Sequence, residues 1–140
     1  MALTRRNMIV LSSAALAATG LGAMPAFASL AEDEIAKLTG GADVGSGELS
    51  LTAPEIAENG NTVPIEVSAP GAVMVALFAD GNPTPAVATI KFGKLNPTHV
   101  ASTRIRLAKT QNVIAVAQME DGSFQRAQAE VKVTIGGCGG

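Results

Sequence analysis

The sequence predicts an all-β domain: a two-sheet antiparallel sandwich of about seven short strands, with a short N-terminal helix ahead of it and a flexible tail behind. Three observations lead there. From Glu48 onward, apolar residues recur at every second position in short runs. Turn-forming pairs separate the runs, at Asn59-Gly60, Pro70-Gly71, Asp80-Gly81, Asn96-Pro97 and Asp121-Gly122. Finally, 140 residues with 47% hydrophobic and 16% charged side chains suffice for one well-filled core and not comfortably for two. Strand number and spacing match an immunoglobulin-like sandwich; an open barrel of similar size is the alternative.

The first segment is an address. Arg5 and Arg6 precede an uncharged stretch that is too short, and too rich in Ser, Thr and Gly, to span a membrane comfortably. It ends in Ala26-Phe27-Ala28, a small-x-small signal for cleavage before Ser29. Paired arginines ahead of a weakly apolar core resemble the twin-arginine export signal, which carries folded chains out of the cytoplasm. Residues 1–28 are therefore read as the signal and 29–140 as the mature domain. Loss of Arg5 and Arg6 makes that domain more acidic than the whole chain, whose net charge is −2.

Ser29 to Gly40 reads as the helix, with Glu32, Asp33 and Glu34 in its first turn, Lys37 near its end and Gly40 at its stop. Gly41 to Gly47 is a connector. The strands follow: Leu49 and Leu51 alternate with polar residues, and Val63, Ile65 and Val67 do the same around Pro64, which marks an edge strand. Val73–Ala79 is continuously apolar and reads as a central strand. Ala86–Phe92, Ser102–Leu107, Asn112–Met119 and Phe124–Ile135 complete the set, the last with Val131, Val133 and Ile135 facing inward. Met74 and Met119 are core candidates, His99 a solvated turn residue, and Arg104 and Arg106 a solvated sheet face.

Composition excludes much chemistry. Four Phe with no Trp or Tyr leave no aromatic platform for bases, and a net charge of −2 leaves no basic surface for nucleic acid. A single His and a single Cys cannot build a His/Cys zinc site or an internal disulfide, so neither a metal nor a cofactor is expected. What remains is the ending Gly136-Gly137-Cys138-Gly139-Gly140. Glycine's conformational freedom predicts that this pentapeptide is a mobile arm, able to extend roughly 17 Å at about 3.3–3.6 Å per residue. The only thiol then sits near the tip of a thin arm, with Gly136, Gly137, Gly139 and Gly140 as its tether.

A catalytic cysteine needs a base and rigid oxyanion donors. The nearest charged side chain in sequence is Lys132, on the preceding strand. Cys138 is thus read as a covalent carrier, activated by whichever enzyme receives the arm, and the protein as a non-enzyme. The competing reading is an exported module tethered through an intermolecular disulfide. Activation at the terminal Gly-Gly carboxylate fits less well, because it needs ATP outside the cytoplasm.

The ending from Val131 to Gly140, the stretch from Thr103 to Ala117 and the loop from Ala79 to Pro83 resemble the SoxY family, the sulfur-carrier subunits of bacterial sulfur-oxidising systems. That resemblance implies a periplasmic heterodimer with SoxZ (SoxYZ), both subunits immunoglobulin-like, with intermediates held covalently on Cys138. It further implies loading by a haem cytochrome, SoxAX, sulfate release by the hydrolase SoxB, and oxidation of the remaining sulfur by the dehydrogenase SoxCD.

Overall fold

A computed structural model describes residues 26–137, which comprise one helix and nine strands. Residues 1–25 of the segment read as a signal (1–28), and the residues Cys138, Gly139 and Gly140, lie outside that range. The helix α1 (Ala26–Thr39) is followed by β1 (Val44–Gly45), β2 (Ser50–Thr52), β3 (Ile56–Asn59), β4 (Val63–Ser68) and β5 (Ala72–Ala79). Then come β6 (Ala86–Lys91), β7 (Val100–Ile105), β8 (Gln111–Met119) and β9 (Phe124–Ile135). The chain is mostly β, as its alternation predicts, and two strands beyond the expected seven appear.

The larger sheet runs β1-β9-β8-β5-β6, with β3 also on β9, and the smaller runs β2-β4-β7. Inward residues of both meet in one core: Val63, Ile65, Val67 and Ile105 from the smaller sheet, Val75, Leu77, Val113, Ala115 and Val131 from the larger. The larger sheet is buried on its second face too. There Ile35 of α1 packs on Ala76, Phe78, Ile114 and Val116. This double burial explains why β5 and β8 read as continuous apolar runs rather than alternating ones.

Helix α1 begins at Ala26, so Glu32, Asp33 and Glu34 lie beyond the first turn and do not serve as its acidic start. Cleavage before Ser29 would trim the described helix without removing its packing residue Ile35. Its stop behaves as the sequence predicts: Gly40 and Gly41 have φ of 65° and 81°, and the Gly41 N–H donates to the Ala36 carbonyl at 3.2 Å. Glu32 instead holds Arg126 of β9 in a two-pronged pair, with Nη2–Oε1 at 2.8 Å and Nη1–Oε2 at 3.1 Å. The hydrogen bond from Arg126 lowers the Glu32 pKa below the ordinary carboxylate range. A lowered folded pKa means stability that is fully present above the unfolded value and lost as pH falls through the folded one. Glu32→Gln is therefore expected to lower stability by at most about 1 kcal/mol at pH 7, since the pair is partly solvated. The difference should vanish in acid, as unfolding curves at neutral and acid pH would show.

Strand β4 is not an edge strand, because β2 and β7 flank it. The β2 register, however, ends at Thr52↔Glu66, so Pro64 has a strand neighbour only at Arg104 of β7, and its missing N–H breaks no ladder bond to β2. The inward pattern expected of β9 also fades toward its end. Val131 is fully buried, Val133 is half-buried and Ile135 is 66% exposed. The cause is register: β8 stops pairing at Gln111↔Val131, and residues 132–135 run past the core.

Candidate functional site: the root of the arm

Past Val131, strand β9 keeps one strand neighbour, β3, in parallel register from Ile56↔Lys132 to Asn59↔Ile135. Its other flank meets the segment that links β7 to β8, where the Val133 N–H donates to Thr110 Oγ1 at 2.9 Å. The chain then enters a backbone socket. The Gly60 N–H donates to the Ile135 carbonyl at 2.7 Å, and the Leu107 N–H donates to the Gly60 carbonyl at 2.8 Å. The Gly137 N–H donates to the Leu107 carbonyl at 2.9 Å. Three segments distant in sequence thus close around the point where the arm leaves the domain.

This socket leaves no room for side chains on its three glycines. A Cβ on Gly136 would collide with the Ala108 carbonyl oxygen, and one on Gly60 with the Leu107 carbonyl oxygen. A Cβ on Gly137 would lie 2.9 Å from the Gly60 carbonyl oxygen. None of the three has the positive φ that would itself demand glycine. They are glycines because backbones touch there.

The sequence reads Gly136 and Gly137 as the start of the tether, and the structure gives both residues contacts at its root. Gly137 is buried and hydrogen-bonded, and Gly136 lies against Ala108. The physical reason is that strand register and unpaired backbone groups overcome glycine's entropy when the groups find partners. The root of the arm is fixed, and Cys138 is the first residue after it.

Arg106 and Lys109 flank Leu107 and Ala108, the residues that touch Gly137 and Gly136, and Arg106 lines a separate cleft with Asn82, Thr84 and Ala86. Sequence separation named only Lys132. Arg104 is exposed and reaches Thr62 Oγ1 at 3.5 Å. It lines an open cleft of about 520 Å³ with Thr52, Pro54, Pro64, Glu66 and Ser102, and that cleft contains none of the socket residues. His99 lies in a loop, where its N–H donates to Asn96 Oδ1 at 3.1 Å, but it is half-buried rather than fully solvated. It has φ of 49°, its ring stacks on Phe92 at 5.2 Å, and its Nδ1 is buried without a hydrogen-bond partner among the described residues. Met119 packs at the core edge and Met74 is half-buried. Among the described residues no three His, Cys, Asp or Glu side chains gather as metal ligands would, and no helix is long and apolar enough to cross a membrane.

Residues 35–138, which contain the whole socket and reach Cys138, match the family model described as sulfur oxidation protein SoxY. The fold matches the sulfur carrier protein SoxY from Chlorobium limicola f thiosulfatophilum at TM-score 0.65 and 39% identity, covering 77% of this chain and 99% of that one. A superoxide reductase (neelaredoxin) from Ignicoccus hospitalis matches at TM-score 0.54 and 17% identity, covering 63% of this chain and 81% of that one, a likeness of fold alone. A search of curated proteins finds no match. On the family match and the 39% identity together, the chain belongs to the SoxY family of sulfur oxidation proteins.

Proposed function

We propose that this protein is a periplasmic, non-enzymatic carrier that holds thiosulfate-derived sulfur covalently on Cys138 and presents it to partner enzymes. Its sandwich, read as immunoglobulin-like, serves as the handle. The observation that carries the reading is the socket: a root fixed at Gly137 is followed at once by the only thiol in the chain. Membership of a family with a sulfur carrier protein supports the same reading. With Gly136 and Gly137 anchored, three residues follow the socket, a reach of roughly 10 Å at most. A partner must therefore bring its reacting centre close to this end of the domain.

In the loading step the Cys138 thiol and thiosulfate join through a new sulfur–sulfur bond, giving Cys138–S–S–SO₃⁻. The step releases one proton and two electrons, which a haem cytochrome of the SoxAX type accepts. Water then attacks the sulfonate sulfur in a SoxB-type hydrolase. Sulfate leaves, two protons are released, and Cys138–S–S⁻ remains for a SoxCD-type dehydrogenase. A SoxZ subunit completes the proposed heterodimer.

Intact-mass measurement of protein purified without reductant and incubated with thiosulfate and the cytochrome tests this. The neutral mass of the monomer is expected to rise by one S₂O₃ unit, and reductant should remove it. A reducible covalent dimer with no sulfur-bearing monomer would replace the carrier reading with the tethered-module one.

A further inference from the structure

Asn82 and Gln111 are 1% and 6% exposed, and with Thr39 they are the buried polar side chains among the described residues. Neither belongs to the ladder that builds the sheets through its side chain, and in each both the amide nitrogen and the amide oxygen are hydrogen-bonded. Asn82 Nδ2 donates to the Arg106 carbonyl at 2.8 Å, and Asn82 Oδ1 accepts from the Ala108 N–H at 2.9 Å. Gln111 Nε2 donates to Asn82 Oδ1 at 2.8 Å and to the Lys109 carbonyl at 2.9 Å. Gln111 Oε1 accepts from the Gly81 N–H at 2.8 Å. Gly81 is itself required for this fit, because a Cβ there would lie 2.8 Å from Gln111 Cβ.

The pattern has a direction. In extended backbone, successive residues turn their N–H and carbonyl groups to opposite sides. Asn82 takes the Arg106 carbonyl and the Ala108 N–H from one side, while Leu107 between them spends its N–H on Gly60 and its carbonyl on Gly137 from the other. The carboxamide acts as a strand partner one residue long, holding the segment from behind at the residue whose carbonyl binds the arm's root.

We propose that Asn82 and Gln111 are positioning residues for Cys138, fixing the Leu107 carbonyl so that the chain is anchored through Gly137, the residue before the thiol, rather than only as far as Ile135. The role in presenting sulfur rests on the carrier reading; the mechanical part does not. Without the clamp the last anchored residue retreats into the strand, so the thiol lies more residues from a fixed point and its placement against a partner's centre is less well defined.

The test is residue-resolved amide hydrogen exchange on the full mature chain, paired with steady-state loading of Cys138 by thiosulfate and the cytochrome. In Asn82→Leu, exchange at Gly137 and Gly60 is expected to quicken about ten-fold, with Val113 to Ala117 as protected as before. The apparent KM for the cytochrome should rise several-fold while the unoriented reaction of Cys138 with iodoacetamide does not slow. Gln111→Met, which keeps the volume and removes both donations, is expected to show the same selective loss to a smaller degree, and serves if Asn82→Leu does not fold. Unchanged exchange at Gly137, or equal acceleration through β8, would overturn the proposal; so would selective acceleration with unchanged loading. If wild type itself takes up no sulfur while exchange responds selectively, the carrier reading fails and the mechanical clamp stands.

Discussion

Cys138→Ser is expected to abolish thiosulfate-dependent electron transfer to the cytochrome, with the thermal unfolding midpoint of the domain unchanged. The loss should be complete rather than graded. A hydroxyl cannot form the sulfur–sulfur bond in which the two electrons are released, and the chain has no second cysteine to take over. Stability should not follow, because the core residues that hold the two sheets together run from Leu49 to Val131 and the substitution comes after the socket in sequence. Substitutions away from core, caps and strained backbone usually change stability by less than about 0.5 kcal/mol. Reconstituted electron transfer and a melting curve on the same preparation check both halves. Residual transfer would place the sulfur elsewhere.

Gly136→Ala should give the second largest effect, and it should act on structure and function together. Its Cβ would collide with the backbone oxygen of Ala108, an atom that cannot step aside as a side-chain tip can. Either the root leaves the socket or the segment from Leu107 to Lys109 moves, and that segment is held by the buried Asn82 and Gln111. Overpacking of this kind costs typically about 1–3 kcal/mol. For a domain of this size that is a melting decrease of several degrees, on the order of 4–8 °C per kcal/mol for somewhat smaller domains. Adduct formation on Cys138 should slow in the refolded variant as the last anchored residue shifts. Gly45→Ala is the control: an added Cβ there meets nothing within 4 Å, and its φ is ordinary. Its melting point and loading rate should match wild type.

The contrast between those two glycines marks where the sequence was legible. Side-chain periodicity announces strands that bury side chains, and β5, β8 and β9 were read within a residue of their observed bounds. Strand β3 buries only Ala57 and carries an exposed Ile56, so no alternation marks it; its parallel pairing with β9 is a long-range event. Strand β1 is two residues in a glycine-rich stretch. The helix start and the Pro64 strand were misread because both depend on what lies beside them, a longer helix and a short β2, rather than on their own residues.

The functional end divides in the same way. Cys138 between paired glycines was conspicuous because its residue types are unusual together. The socket that fixes its root was invisible, since it is built from backbone groups of Gly60, Leu107 and Gly137, and backbone groups are the same in every sequence. The structure shows what the Asn59-Gly60 pair concealed. Gly60 follows Asn59 as a turn glycine would, yet its φ is not in the left-handed region, so its lack of a side chain serves close approach. Asn82 was visible only as part of a turn, where its burial could not be seen.

The most direct test gives the intact-mass experiment a position. The protein is incubated with isotopically labelled thiosulfate and the cytochrome, denatured without reductant and digested, and the label is located by peptide. The account predicts label on the C-terminal peptide at Cys138, stable to unfolding and released by a thiol. Label bound elsewhere, or lost on unfolding, would contradict it.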